Sequence, residues 1–299
     1  MTLVNVSDLQ LLRHGPLLML TDMIIPNDVL IQHRLSLDRH VATTQIANVW
    51  RVIRADGSAA ALKVYNNRDP KDEAAGFDLM QAAKGNGCAA IYACDKGVAL
   101  MEWLDGHEVG DISRAGDDDT ATNHMIACGL ALHQALPAQI SAIRTVYDDA
   151  ISLFDVEYAA DFPQQWCVDF DRAKTLARWL LDTQGPMQPL HGDFHHDNVI
   201  LTPRGPLAID AKGVMGEAAY EPSNMFRNPV GAQPLYRDVD RAKRLAGAWA
   251  QALGCSSQRI LQWAAVRVAL SIIWDGNETL QPDARDCDLV GHYLALAEV

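Results

Sequence analysis

Cysteine is scarce in this sequence and never forms a Cys-x-x-Cys pair: Cys88, Cys94, Cys128, Cys167, Cys255 and Cys287 are scattered, several inside apolar patterns. Thiols so placed act as small reduced hydrophobes, which fits a cytoplasmic protein. Basic charge is short as well. With 25 Lys and Arg against 38 Asp and Glu, the net charge is −13 and the pI near 5.1, so the basic face that a nucleic-acid partner requires is not expected. The same acidic field draws in a polycationic small molecule, and it also serves the plainer purpose of solubility. Long hydrophobic runs are absent. The most apolar stretch, Leu17 to Ile25, is short and broken by Thr21 and Asp22, and no basic leader precedes it, so neither a signal peptide nor a membrane span is expected. There is no internal repeat, low-complexity tract or long charged run, and Asp117-Asp118-Asp119 reads as the solvated start of a helix.

What is present is enough apolar residue, about half of 299, to bury a sizeable core and build two lobes. Residues from about 32 to 104 are rich in strand signals. Ala47 to Ile53 and Ala59 to Tyr65 flank a turn containing Asp56-Gly57, the signature of a hairpin. A helix follows, with Asp69 as its cap, Pro70 at its first position, Ala74, Phe77, Met80 and Ala83 at helical spacing, and Gly85-Asn86-Gly87 as its stop. Two more strands, Cys88 to Cys94 and Val98 to Leu104, end at Asp105-Gly106. From about residue 107 the helical period dominates, with helices predicted near 119 to 135, 169 to 184, 238 to 253, 257 to 274 and 286 to 298. The class is therefore α+β: a strand-rich lobe over residues 1–104 with one inserted helix, a connector at about 101–106, and a mostly helical lobe over residues 105–299.

Between His191 and Asp210 the polar groups stand in an order suited to phosphoryl transfer. The stretch runs His191-Gly192-Asp193-Phe194-His195-His196-Asp197-Asn198, then two apolar runs about Thr202-Pro203-Arg204-Gly205-Pro206, then Asp210. An alcohol is a poor nucleophile, so a carboxylate that orients it and takes its proton is wanted; Asp193 suits that part. Asn198 and Asp210 are hard oxygen ligands for Mg²⁺, which takes few protein ligands when phosphates complete its shell. A hairpin between them converts sequence distance into proximity. Lys63 lies in the apolar strand Ala61-Leu62-Lys63-Val64-Tyr65, on one face with Ala61, so the small residue can admit a nucleotide base while the ammonium reaches phosphates. Glu73, ten residues on, is placed to hold Lys63 extended.

With these residues in place, the chain resembles the aminoglycoside phosphotransferase family, of protein-kinase-like fold, and most resembles its streptomycin 6-kinase and hydroxyurea-resistance kinase branch. The residues that carry the likeness are Leu62-Lys63-Val64, Glu73-Ala74, Met101 to Gly106, Leu132 to Pro137, His191 to Asn198, Ala208 to Gly213 and Tyr220-Glu221 through Arg227-Asn228-Pro229. The resemblance implies a bilobal kinase that moves the γ-phosphate of ATP, with Mg²⁺, to a hydroxyl of a small, streptomycin-type acceptor. It implies that adenine meets main-chain groups near Glu102 and Leu104, that Lys63 meets the α- and β-phosphates, and that His191 orders the loop. Lys212 and Gly213 match a signature of the branch to which no role attaches.

Two departures stand out. The turn expected to cover the phosphates, about Asp38 to Thr44, has no glycine, and Glu221-Pro222-Ser223 stands where an uninterrupted helix start is usual, with Pro222 suited to a first turn. For a cationic acceptor the candidate carboxylates are Glu217, Glu221, Asp275 and Glu278, each also suited to a cap or an internal contact; Trp103, Trp166 and Trp274 are candidates for stacking or for core. Three other readings compete: a kinase of a sugar, amino sugar or choline-like metabolite, a non-catalytic kinase-like ligand sensor, and a metal-dependent hydrolase using His191, Asp193, His195, His196 and Asp197.

Overall fold

Alternation of small and large apolar residues along two neighbouring runs sets the first sheet. The computed structural model describes residues 25, 27–44, 46–66, 73–95, 97–141, 143–276 and 279–298; Asp69, Pro70 and Glu278 lie outside them. In chain order the first part comprises α1 (Asn27–His33), β1 (Ser36–Thr43), β2 (Ala47–Ile53), β3 (Ala59–Tyr65), α2 (Ala74–Ala83), β4 (Ile91–Asp95) and β5 (Val98–Glu102). The five strands form an antiparallel sheet in the order β1-β2-β3-β5-β4. The two-residue period splits β3 between two clusters. Ala60 and Leu62 pack with Trp50, Val52, Leu100 and the α1 residue Val29, whereas Tyr65 packs with Phe77 of α2, Ala99 and Met101, with Ala61 against them. Lys63 shares the second face and pairs in register with Val49 and Ala99.

The second part is mostly helical: β6 (His107–Glu108), α3 (Val109–Arg114), α4 (Asp118–Ala135), β7 (Arg144–Thr145), α5 (Val146–Phe154), β8 (Glu157–Tyr158), α6 (Gln164–Asp182), β9 (Met187–Leu190), β10 (Val199–Thr202), β11 (Gly205–Ala208), β12 (Val214–Glu217), α7 (Gln233–Tyr236), α8 (Val239–Leu253), α9 (Ser257–Asp275), β13 (Thr279–Leu280) and α10 (Asp288–Leu296). The core gathers around α9, where Trp263, Ala264, Ala265, Val266, Val268, Ala269 and Leu270 are buried, with Trp249 of α8 and Tyr293 of α10 among the largest fully buried side chains. The acidic run behaves as a helix start: Asp117 caps α4 by accepting from Thr120 N at 3.2 Å, and Asp118 and Asp119 reach Arg241 and Arg244.

Several boundaries differ from the sequence expectation. The strand predicted from Cys88 begins at Ile91, because Ala89 and Gly87 instead bond the backbone of Ala208 and tie β11 to the end of α2. The segment Asp38 to Thr43 is strand, so β1 runs through the expected turn and the connection to β2 falls after Thr43. Pro222 lies inside a 3₁₀ stretch, Ala218–Arg227, rather than in the first turn of an α-helix.

Candidate functional site

The hairpin β10–β11 brings the metal-ligand candidates together as the sequence implied. Val199 faces Ala208 in register, and Ile209 N donates to Asn198 O at 2.9 Å, so Asn198 and Asp210 stand at one end of the ladder. Asp210 has a positive φ of 55°, a conformation that Asp tolerates better than most residues. The Asn198 amide donates to Asp193 O at 3.0 Å and lies 3.4 Å from its carboxylate. With that nitrogen turned to Asp193, the Asn198 side-chain oxygen and the Asp210 carboxylate are the hard oxygens that could hold Mg²⁺. Among the described residues no three His, Cys, Asp or Glu side chains are grouped to hold a metal.

Lys63 Nζ lies 2.7 Å from Glu73 Oε2 and 3.1 Å from Asp210 Oδ1, with its side chain almost buried. Glu73 also accepts from the Tyr65 hydroxyl and from Lys212 Nζ, the latter at 3.1 Å. Burial would push the Lys63 ammonium down, but Asp210 and Glu73 outweigh it and hold its pKa above the ordinary value; burial likewise raises Glu73, and Lys63, Tyr65 and Lys212 bring it below its own. A charged pair is therefore kept at neutral pH.

His191 is fully buried and holds the loop with both ring nitrogens: Nδ1 accepts from Asp193 N at 3.2 Å and Nε2 donates to Ile209 O at 2.8 Å. Burial lowers its pKa, so it stays neutral. Asp193 is held by groups the sequence did not single out. Its Oδ1 accepts from Asn224 Nδ2 at 2.9 Å and from Arg267 at 3.2 Å. Burial pushes the Asp193 carboxyl up, but the field of His195, Arg267, His191 and Lys212 outweighs that and keeps it below the usual carboxylate range. Arg267 had a visible signal, a lone guanidinium amid the apolar residues of α9; Asn224, inside an irregular 3₁₀ stretch, had none.

Of the four acceptor carboxylates proposed from sequence, two do not reach the site. Glu217 accepts from Arg259 at 2.6 Å, from the Trp263 indole and from Gly185 N at 3.0 Å. Glu221, buried, accepts from His191 N at 3.0 Å, Gly192 N at 3.5 Å and His133 at 3.2 Å, so it braces the Asp193 loop from behind. Asp275 lines a cavity beside Asp193, and Glu278 lies outside the described residues. Two cavities of about 710 Å³ flank Asp193 and share Arg267 and Trp274. One is lined by Asp275, Asp283 and Asp286 together with Arg227, Asn228 and Tyr236; the other by Arg144, Asp149, Gly192 and Lys212. Trp274 is half exposed and lies against Arg267, 4.7 Å from ring centroid to guanidinium, whereas Trp166 packs on Phe162 and Trp103 lies beneath Arg39 and Arg51. In the connector, Glu102 N–H donates to Ala90 O at 2.8 Å and its carboxylate meets Arg204.

A family model described as Aminoglycoside/hydroxyurea antibiotic resistance kinase matches residues 32–278. The chain belongs to this family. It is 31% identical over 249 residues to the streptomycin 3''-kinase of Klebsiella pneumoniae, covering 81% of this chain and 88% of that one, and 27% identical to the streptomycin 6-kinase of Streptomyces glaucescens, covering 86% and 85%. Among solved structures, a choline/ethanolamine kinase family protein from Mesorhizobium loti superposes with a TM-score of 0.64 at 14% identity, covering 93% of each chain. The fold is thus the bilobal, protein-kinase-like one. The activity is that of a phosphotransferase with an alcohol group as acceptor, within a family of antibiotic-resistance kinases. No described helix is long and apolar enough to cross a membrane.

Proposed function

We propose that this antibiotic-resistance kinase transfers the γ-phosphate of ATP to a hydroxyl of a streptomycin-type aminoglycoside, with Mg²⁺. The observation that carries the reading is the convergence of Lys63 on Asp210 at 3.1 Å and of Asn198 on Asp193 at 3.0 Å, which joins strand, hairpin and loop residues far apart in sequence into one phosphate-facing set. The strand-rich lobe, residues 1–104, takes the nucleotide, with Ala61 beneath the base, the Leu104 backbone as donor to adenine and Lys63, held by Glu73, on the α- and β-phosphates. The lobe over residues 105–299 takes the acceptor. Asn198 and Asp210 hold the magnesium ion, which neutralises the phosphates. Asp193 orients the acceptor hydroxyl and receives its proton as the oxygen attacks phosphorus. Arg267 and Asn224 fix Asp193 Oδ1, and Oδ2, which the Asn198 amide approaches only at 3.4 Å, meets the acceptor. Asp275, Asp283 and Asp286 line one of the two cavities, and Asp283 has no ion-pair partner among the described residues; this edge suits the cationic groups of an aminoglycoside. The relatives named for streptomycin support that choice, and six free thiols fit work in the cytoplasm, where ATP is supplied.

The test is nucleotide consumption against a panel of streptomycin, other aminoglycosides, hydroxyurea, choline and simple amino sugars. Magnesium-dependent ADP release with streptomycin is the expected result. Asp193→Ala should lower turnover by on the order of 10²-fold or more with nucleotide still bound, and Asp210→Ala should weaken magnesium-dependent nucleotide binding. Turnover with no acceptor of the panel, or equal binding defects in both variants, would sink the assignment.

A further inference from the structure

The nucleotide site has an unfilled post. In the kinase reading on which this inference rests, Lys63 serves the α- and β-phosphates, and a glycine-rich turn would ordinarily offer backbone N–H groups to the outer phosphate. Here the described amides between β1 and β2, those of Thr44, Ile46 and Ala47, are spent internally. Thr44 N donates to Ala47 O at 2.8 Å, Ala47 N to the Thr44 hydroxyl at 3.0 Å and Ile46 N to the same hydroxyl at 3.4 Å, while that hydroxyl donates to Ala47 O at 3.0 Å. Those three amides, engaged in this way, are withheld from a ligand.

Lys212 stands where a replacement is needed. It follows Asp210 by two residues, lines the cavity that also holds Gly192, Asp193 and Arg267, and contributes to the field that keeps Asp193 ionised. Its backbone is clamped. Lys212 N and Gly213 N both donate to His191 O, at 2.8 and 3.0 Å; a Cβ on Gly76 would fall 1.6 Å from Ala211 O, and one on Gly213, whose φ is +70°, would meet Ala75 O at 2.8 Å. Only the side chain is free to move, and at about a quarter exposed it has somewhere to go. Its one ion-pair partner among the described residues is Glu73, at 3.1 Å, and Glu73 is already neutralised by Lys63 at 2.7 Å and bonded by Tyr65. Glu73 can release Lys212 without losing the pair that holds Lys63.

We propose that Lys212 leaves Glu73 when nucleotide binds and places its ammonium on the γ-phosphoryl group, supplying the positive charge that these engaged amides withhold. As the acceptor oxygen bonds to phosphorus and the bond to the β,γ-bridging oxygen breaks, the hydroxyl proton goes to Asp193 and the diphosphate departs. Lys212 keeps its proton throughout and neutralises charge on the oxygens in transfer.

The discriminating measurement is the affinity for two nucleotides that differ in the outer phosphate, MgADP and the non-hydrolysable Mg-AMP-PNP, by titration calorimetry on wild type, Lys212→Met and Lys212→Arg, with melting temperatures recorded for each. Lys212→Met should weaken Mg-AMP-PNP about tenfold or more, equal to about 1.4 kcal/mol, and leave MgADP within about twofold; Lys212→Arg should recover most of the preference. Parallel weakening of both nucleotides would show that Lys212 only supports Glu73 and Lys63, and unchanged binding would show no role; either overturns the proposal and leaves the kinase reading standing. If Lys212→Met does not fold, a loss of the triphosphate preference in Lys212→Gln decides the matter in the same way. A wild-type protein that binds neither nucleotide would overturn the kinase reading and this assignment with it.

Discussion

The chemistry rests on how one carboxylate is held, and Arg267 is the residue that governs it. Its guanidinium reaches Asp193 at 3.2 Å and the Tyr220 hydroxyl at 3.0 Å, and it is buried. Burial raises the Asp193 pKa and the surrounding positive field, Arg267 included, lowers it further than burial lifts it. A carboxylate with a depressed pKa stays ionised until the pH falls below the usual range, so the acid limb of the pH-rate profile should lie low. Replacing Arg267 by Met removes one of the cations, so the Asp193 pKa should rise. The acid limb of kcat/KM should move to higher pH, and turnover at neutral pH should fall about tenfold as the carboxylate loses its fixed orientation. The measurement is a pH-rate profile of both proteins at saturating nucleotide; a limb that stays in place would show that Arg267 serves packing alone. The sequence had displayed Asp193, Asn198, Asp210, Lys63 and Glu73 because their order and spacing are fixed by the strand, helix and hairpin that carry them. Arg267 and Asn224 come from elements with no spacing rule relative to Asp193.

Elements with a clean period were legible. The limits of β2 and β3 agree with the sequence expectation, the helically spaced Ala74 to Ala83 form α2 while its expected cap lies outside the described residues, and α8 and α9 differ from theirs by a residue. Short pieces stayed hidden. The β7-β12-β9 sheet uses strands of two to four residues, too brief for alternation to show, and the Ala218–Arg227 stretch keeps a 3₁₀ pattern that leaves Glu221 pointing into the core rather than at an acceptor. At this scale the joint between α2 and the Asp210–Gly213 segment is the sensitive one. Gly76 of α2 lies against Ala211 O so closely that no side chain fits. Gly76→Ala should therefore push α2 off the segment and carry Glu73 away from Lys63. Nucleotide binding should weaken at least tenfold, and the melting temperature should drop by several degrees, as for an overpacking cost of about 1–3 kcal/mol. Near-normal nucleotide affinity in a folded Gly76→Ala protein would show that the joint tolerates a shift.

For the whole molecule, acid stability is set by histidines the fold keeps neutral. His191 and His196 are both fully buried. His191 spends its ring nitrogens on the loop, but neither ring nitrogen of His196 has a hydrogen-bond partner, and burial followed by the positive field of Arg241 carries its pKa down to about 3. In the unfolded chain a histidine takes up its proton near pH 6.5. Below that pH the unfolded state binds a proton that the folded state refuses at His196 until about pH 3, so His196 costs about 1.4 kcal/mol of stability per pH unit as the pH falls through that range. Carboxylates with depressed pKa, such as Glu221 and Asp193, act only below the ordinary carboxylate range, where the unfolded chain begins to protonate. Between pH 6.5 and 5 the slope therefore belongs mainly to histidine. His196→Leu removes one titrating group and two unpaired buried nitrogens, so it should be at least as stable as wild type at pH 7.5 and should lose about 1.4 kcal/mol less per unit across that window. Denaturant unfolding of both proteins at pH 7.5, 6.5, 5.7 and 5.0 gives the two curves. Curves that run parallel would mean that His196 takes its proton in the folded state too, through an opening that lets water reach the ring.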